Sequence, residues 1–371
     1  MHRNNPHASY EARDRSLVFV LPWVVLALAL GPVSCAAQGA SRDATPDGAA
    51  DEIRGADLMG TVERLASSQF QGRLAGSPGY LEAARMVARR FRELGLRPGG
   101  GLRDSLGTLT DPGSEAHTDP TEAYFQDLAI EYNPIEECAL AVVRPDGSER
   151  ELQLGRDFAC RGLTGSGRVT APVVFAGYGL SFPEKGYDDY AGIDVRGKIV
   201  LAFKEAPPFT VDSTGWGQEW MPSPKGRVAA AHGAVALLVV SRPNQQHPQR
   251  PIGSMLEGEA PHAPDFPRLQ VDLGIAEEMV AGTGLGLAEL ETRIDSTHAP
   301  SSRPLDISAR VRVQARYEPR QRSVNVVGIL EGSDPIFRNL YVVLGAHLDH
   351  VGSQGKLLSP GASDTASGSA G

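Results

Sequence analysis

The residues with the clearest chemical potential lie near the C-terminal end of the chain, around His347. His347 and Asp349 directly follow the continuous apolar run 341–345, and Asp364 lies in the glycine-rich segment 361–368. A neutral imidazole at the end of a strand can bind zinc, and a carboxylate commonly orients such a ring. A carboxylate in a glycine-rich turn can approach an ion closely. The spacing therefore predicts a metal site with His347 and Asp364 as ligands and Asp349 as the orienting residue.

Each of these residues also has an ordinary structural interpretation. A His-x-Asp pair is common, and an aspartate ahead of a helix most often caps the helix N-terminus. His350 and His232 lack a comparable setting, and we interpret them as a surface residue and as the end of a packed helix. The combination of apolar run, His-x-Asp and glycine-rich turn is more specific than its parts.

An open α/β sheet would position these residues, because ligands gather beyond the C-terminal ends of its central strands. The apolar runs 324–330 and 341–345 predict two central strands, with a turn at 331–335 between them. The alternating segment 307–316 predicts a strand at an exposed edge.

The middle of the chain predicts a small α/β module, because compact apolar runs alternate there with a helical segment. The runs are 173–176, 198–202 and 234–240, and the helical segment is 227–233.

Two longer helices are predicted outside these runs. Ser77 is a good N-cap, Pro78 suits a first helical turn and Gly95 suits a C-cap, which predicts a helix over 78–94. A second helix is predicted over 275–291.

The N-terminal region has the pattern of an export signal. Arg13 and Arg15 precede the apolar stretch 17–30, which is short for a membrane span, and small residues follow it. A membrane anchor or a buried helix is the alternative. The net charge of −9 argues against a nucleic-acid partner.

The three cysteines bear on location. Cys35 is a candidate for lipid attachment, which would tether the protein to a membrane. Cys138 and Cys160 then remain as an even pair in an oxidising compartment. They form either a disulfide or two unrelated buried thiols.

Several motifs together resemble the co-catalytic zinc aminopeptidases, the family of bacterial leucyl aminopeptidase, glutamate carboxypeptidase II and the transferrin receptor. The motifs that carry this resemblance are 71–73, 76–79, 323–328, 332–335, 341–350 and 361–368. The middle of the chain is similar to the protease-associated domain inserted in many members, notably at 187–192 and 197–200.

The resemblance implies an α/β fold: an incomplete, mixed-sheet zinc-peptidase domain with an inserted smaller α/β protease-associated domain. The implied divisions are an export signal (1–40), a linker (41–52), the N-terminal part of the peptidase domain (53–168), the protease-associated insertion (169–304) and the truncated metal-binding core (305–371).

The resemblance also implies roles for the site residues. His347 would bind one zinc ion, Asp364 would bridge two, and Asp349 would orient His347. The family's general base and remaining ligands follow the equivalent of Asp364, so this chain by itself is expected to be inactive. Thr365 stands where the family usually has asparagine.

The expected function is therefore the N-terminal portion of an exported zinc peptidase, an aminopeptidase acting on peptides or proteins. Its location would be the periplasm, the outer surface as a lipoprotein, or the medium. The alternative is a non-catalytic exported binding module that uses the protease-associated domain on a peptidase-like scaffold. Carboxypeptidase and aminoacyl cyclase action stay open within the same fold, and oligomeric state and side-chain preference are not predicted.

Overall fold

The computed structural model describes residues 54–100, 119–209, 216–254, 258–337 and 340–371. The predicted export signal, the linker and Cys35 lie outside the described residues. Within these ranges, no helix combines the length and the apolar character that crossing a membrane requires.

The elements are numbered along the chain. The helices are α1 (Gly55–Leu65), α2 (Pro78–Glu93), α3 (Pro222–Ala231), α4 (Leu273–Val280), α5 (Leu287–Thr297) and α6 (Ser367–Ala370). The strands before residue 190 are β1 (Arg97–Pro98), β2 (Phe125–Tyr132), β3 (Ile135–Val143), β4 (Glu149–Glu151), β5 (Phe158–Cys160), β6 (Gly167–Phe175), β7 (Ser181–Phe182) and β8 (Tyr187–Asp188). Those after it are β9 (Ile199–Phe203), β10 (Ala236–Val240), β11 (Arg268–Val271), β12 (Arg303–Ala315), β13 (Glu318–Val326), β14 (Gly328–Ile329), β15 (Ser353–Gln354) and β16 (Leu357–Leu358).

The predicted α/β module is confirmed as the centre of a ten-stranded mixed sheet. Its order is β16-β15-β3-β12-β6-β9-β10-β11-β5, with β4 beside β3, and the strands from β6 to β11 in that order are parallel. Residues of β9 alternate between two buried clusters, one shared with α3 and the other with α4 and α5. Because both faces are covered, β9 and β10 can be apolar throughout.

The prediction of an edge strand at 307–316 is wrong. β12 covers this segment and pairs antiparallel with β3 on one side and β6 on the other, so it is central. Ala309, Val311 and Val313 face the core, while the residues between them are more exposed. Alternation of apolar and polar residues indicates that one face of a sheet is buried and the other is more exposed to solvent. It does not indicate whether a strand has one neighbouring strand or two.

The predicted helix at 78–94 is confirmed as α2. The Oγ of Ser77 accepts a hydrogen bond from the Tyr80 amide at 3.1 Å, and Gly95 has a positive φ of 74° just past the end. The predicted single helix at 275–291 is instead the pair α4 and α5. Gly284, with φ 74°, breaks the helical path between them.

The predicted central strands near the C-terminal end differ most from the structure. Among the strands that the structure describes, β13 pairs with β2 alone, and the short β14 pairs with β1. The run 341–345 forms no strand, and the exposure of Tyr341 and Leu344 is 79% and 92%. The prediction of buried pairing there is wrong for the described structure, because a continuous apolar run is buried only where other elements cover both faces. No described element covers this one.

Cys138 and Cys160 form a disulfide between β3 and β5, with Cα atoms 6.6 Å apart. The disulfide is therefore the correct one of the two alternatives for this pair. The large sheet contains strands from both sides of the predicted boundaries at 168/169 and 304/305. Those boundaries stay a prediction.

Candidate metal centre

The structure brings the three predicted site residues together at one surface. Nδ1 of His347 lies 3.4 Å from the Asp349 carboxylate, and Nε2 of the same ring lies 3.7 Å from Asp364 Oδ1. The side chains of His347 and Asp364 are 66% and 69% exposed, so both are accessible from solvent. Asp349 therefore faces one ring nitrogen, while the other nitrogen faces the second carboxylate.

This geometry fits two ligands of one metal ion. Two donors about 2.1 Å from a tetrahedral zinc ion lie roughly 3.4 Å apart, close to the 3.7 Å between His347 Nε2 and Asp364 Oδ1. With Asp349 beside Nδ1, a proton held on Nδ1 leaves the Nε2 lone pair free for the ion. No group of three or more His, Cys, Asp or Glu side chains suited to a metal occurs in the described parts of the chain. The described residues thus supply two candidate ligands.

Asp364 is presented by an irregular turn that requires glycine at its start. Gly361 has a positive φ of 61°, and an added Cβ would lie 2.7 Å from Arg73 Nη2, Asp364 O and His350 Cδ2. Asp364 and Thr365 then leave the helical conformation before α6 begins. The carboxylate therefore projects from the turn and does not cap a helix.

Two family patterns match the chain. Residues 325–371 match peptidase family M28, and residues 169–278 match the PA domain. The first match contains His347, Asp349 and Asp364 with the geometry just described. Two separate segments of the chain are thus similar to an M28 peptidase and to a PA domain.

Solved structures with a similar chain path include two peptidases. A zinc aminopeptidase from Bacillus subtilis is 17% identical with a TM-score of 0.43, and the comparison covers 85% of this chain and 55% of that one. A peptidase M28 precursor from Shewanella amazonensis is 14% identical with a TM-score of 0.40, covering 74% and 54%. This chain thus spans about half the length of those chains. No curated protein matches the sequence.

His350 lies beside the candidate ligands and is largely buried, so its interpretation as a surface residue is wrong. Its side chain is 12% exposed, and its Nδ1 lies 4.0 Å from Asp364 Oδ2. Burial lowers the pKa of His350, and the nearby Asp364 carboxylate opposes that shift. The only sequence signal for this residue was its position directly after Asp349. His232, by contrast, caps α3 in the PA domain and stacks on Tyr190.

Beneath the candidate metal centre lies a buried cation, Arg73, that the sequence did not point to. In the sequence, Arg73 stands out only as part of the motif 71–73, yet its guanidinium contacts both segments that carry the candidate ligands. Asp349 lies near enough to affect two buried groups: it opposes the burial that lowers the pKa of Arg73, and it adds to the burial that raises the pKa of Tyr80 to about 12.

Gln354 links the M28 segment to the disulfide-bonded edge of the large sheet. Its side-chain amide accepts from the Cys160 N–H at 3.0 Å and donates to the Cys160 carbonyl at 2.8 Å. The amide thereby takes the place of a further strand beside β5. Nothing in the sequence around Gln354 indicated this contact.

Proposed function

We propose that this chain is part of an exported zinc-dependent aminopeptidase, to which it contributes His347 and Asp364 as metal ligands. The observation that carries the proposal is the 3.7 Å approach of the His347 and Asp364 donor atoms beside the oriented ring nitrogen. An imidazole nitrogen with a carboxylate oxygen is a donor set suited to zinc. The family match and the sequence resemblance support peptide-bond hydrolysis and aminopeptidase action respectively.

A bound zinc ion would supply Lewis acidity and make water nucleophilic near neutral pH. The residues of this chain would hold the ion and orient its ligands. Asp349 keeps the proton of His347 on Nδ1, and the turn at Gly361 holds the Asp364 carboxylate toward the ring. With two candidate ligands among its described residues, the chain alone is proposed to bind metal weakly and to lack turnover.

Two features support export. The Cys138–Cys160 disulfide is typical of an oxidising compartment, and the apolar stretch 17–30 has the length of an export signal. Cys35 remains the proposed point of lipid attachment.

The metal site is tested by titrating the purified chain with Zn²⁺ and following the heat of binding. We expect His347→Ala and Asp364→Ala to abolish binding, and Asp349→Asn to weaken it by about 10- to 100-fold. His232→Ala is the matched control, since this exposed histidine lies in the PA domain and should leave binding unchanged. Indifference to all of the site substitutions would reject the metal site and favour the binding-module alternative.

The reaction class needs a separate assay on the protein that the gene encodes. An aminopeptidase should cleave peptides with a free N-terminal amine and spare the same peptides after N-acetylation. Equal cleavage of both forms, or release of the C-terminal residue, would reject aminopeptidase action while leaving the metal site intact.

A further inference from the structure

We infer that Arg73 is a positioning residue of the proposed metal site. It holds the segment that carries His347 and the turn that carries Asp364 at a fixed distance from each other. The inference rests on the proposed function, because the segments that Arg73 joins are those of His347 and Asp364. It assigns a role in metal binding to a side chain that does not itself contact the ion.

The guanidinium of Arg73 donates to both segments. Its Nε donates to the Leu348 carbonyl at 2.8 Å, its Nη2 to the Gly361 carbonyl at 2.8 Å and its Nη1 to the Pro360 carbonyl at 2.9 Å. A further bond from Nη1 reaches Leu65 in α1. The side chain is 0% exposed, so bulk water does not compete for these bonds, and carbonyls that lose a buried donor are costly to leave without a partner.

These acceptors are placed where they determine the ligand geometry. Leu348 lies between His347 and Asp349, and its carbonyl fixes the backbone that carries both. Gly361 starts the turn that projects Asp364. Because His347 is largely exposed, its orientation depends mostly on its own backbone and on Asp349. A planar guanidinium has a rigid set of donors, so it fixes the distance between the two segments.

Thr365 completes the connection. Its Oγ1 accepts from Arg73 Nη2 at 3.3 Å and donates to the Asp349 carbonyl at 3.0 Å. The turn with Asp364 is thereby bonded to the segment that carries His347 and Asp349. This is the position where the resemblance led us to expect asparagine, and the threonine hydroxyl provides a defined contact there.

The backbone of Arg73 is held by the same region. Its carbonyl accepts from the His350 amide at 2.9 Å, and the Gly72 carbonyl accepts from the Gly352 amide at 3.0 Å. Arg73 has a positive φ of 49°, which is uncommon for a residue with a side chain. Such a conformation persists where surrounding contacts impose it, and here the contacts are with the M28 segment.

Charge and position predict opposite effects of removing Arg73. A buried positive charge near a cation site repels the ion, so loss of charge alone would raise metal affinity. Loss of positioning would lower it, because ligands that lack their outer-shell partners typically bind metal about 10- to 100-fold more weakly. The sign of the change therefore distinguishes the two roles.

The experiment compares two substitutions with two matched controls in the full chain. Arg73→Met is paired with Lys225→Met, because Lys225 is another fully buried cation that donates to backbone carbonyls, those of Phe203, Lys204 and Glu205, in the PA domain. The milder Thr365→Val is paired with Thr164→Val.

Thr164 matches Thr365 closely: its buried Oγ1 accepts from the Arg268 amide and donates to the Gly165 carbonyl. Affinity for Co²⁺ is measured from visible absorption, and hydrogen exchange of the amides in 347–366 is followed by mass spectrometry without metal. We expect about 10- to 100-fold weaker Co²⁺ binding for Arg73→Met and about fivefold weaker binding for Thr365→Val. Both variants should exchange faster in 347–366, and neither control should change binding or exchange there.

Unchanged or tighter Co²⁺ binding by the Arg73 variant, with unchanged exchange in 347–366, would overturn the inference. If Arg73→Met does not fold, the same two measurements on Thr365→Val and its control Thr164→Val test the inference. If the unsubstituted chain binds no Co²⁺, the proposed metal function fails, and hydrogen exchange alone still decides whether Arg73 holds the two segments together.

Discussion

The Cys138–Cys160 disulfide allows a stability prediction with a calculated magnitude. The cysteines are 22 positions apart, and closing a loop of that length in the unfolded chain removes about 11 cal/mol/K of entropy. Replacing both by serine should therefore lower the free energy of unfolding by about 3 kcal/mol at room temperature. Breaking the link also removes the covalent tie to β5, the edge strand that Gln354 contacts, and leaves it paired with β11.

The assay is urea unfolding followed by far-UV circular dichroism. With a denaturant dependence of about 3 kcal/mol per molar urea, the midpoint should fall by about 1 M in Cys138→Ser/Cys160→Ser. Reductant should lower the midpoint of the unsubstituted chain by a similar amount and leave the double variant unchanged. A thiol assay should detect Cys138 and Cys160 in the unsubstituted chain only after denaturation and reduction. Equal midpoints for the oxidised chain and the double variant would refute the reasoning.

Two further predictions concern buried polar groups. Gln354→Leu should lower the free energy of unfolding by about 2–4 kcal/mol, because it leaves both backbone groups of Cys160 without a partner. Gln321→Leu is the control, since it removes one bond at a half-buried site, and similar urea midpoints for the two variants would contradict the prediction. Burial raises the pKa of Asp189 from 3.8 to about 7, so its stabilising effect is fully present below pH 3.8 and is lost as the pH rises through about 7. Relative to Asp189→Asn, the unsubstituted chain should thus lose stability over that window in thermal melts, whereas parallel pH profiles would argue against a raised pKa.

The sequence predicted features that depend on neighbouring residues. The Ser77 cap, the His347–Asp349 approach and the positions of strands β9 and β10 all follow from local pattern and burial. The approach of Asp364 to the same ring was also predicted, because a carboxylate in a glycine-rich segment can come close to an ion that the ring binds.

Features that depend on distant pairing were not predictable. The Arg73 guanidinium bonds to a carbonyl 275 positions away, and a backbone acceptor has no sequence signature. The central position of β12 depends on which strands pair with it, which alternation does not encode. The run 341–345 has the apolar composition of a central strand. Composition shows that a segment would be stabilised by burial, but it does not show whether other elements bury it, and here its side chains are exposed.

The position of β12 in the large sheet also sets an order of assembly. β3 and β6 are complete well before residue 303, yet their shared neighbour is made only afterwards. Until β12 has been synthesised, β3 and β6 each lack the strand that pairs with one of their sides. Contacts between segments so distant along the chain also form slowly. The disulfide spans a much shorter stretch than β12 and β3 do. A cysteine pair that closes early would hold β3 and β5 together until the strand that completes the sheet arrives.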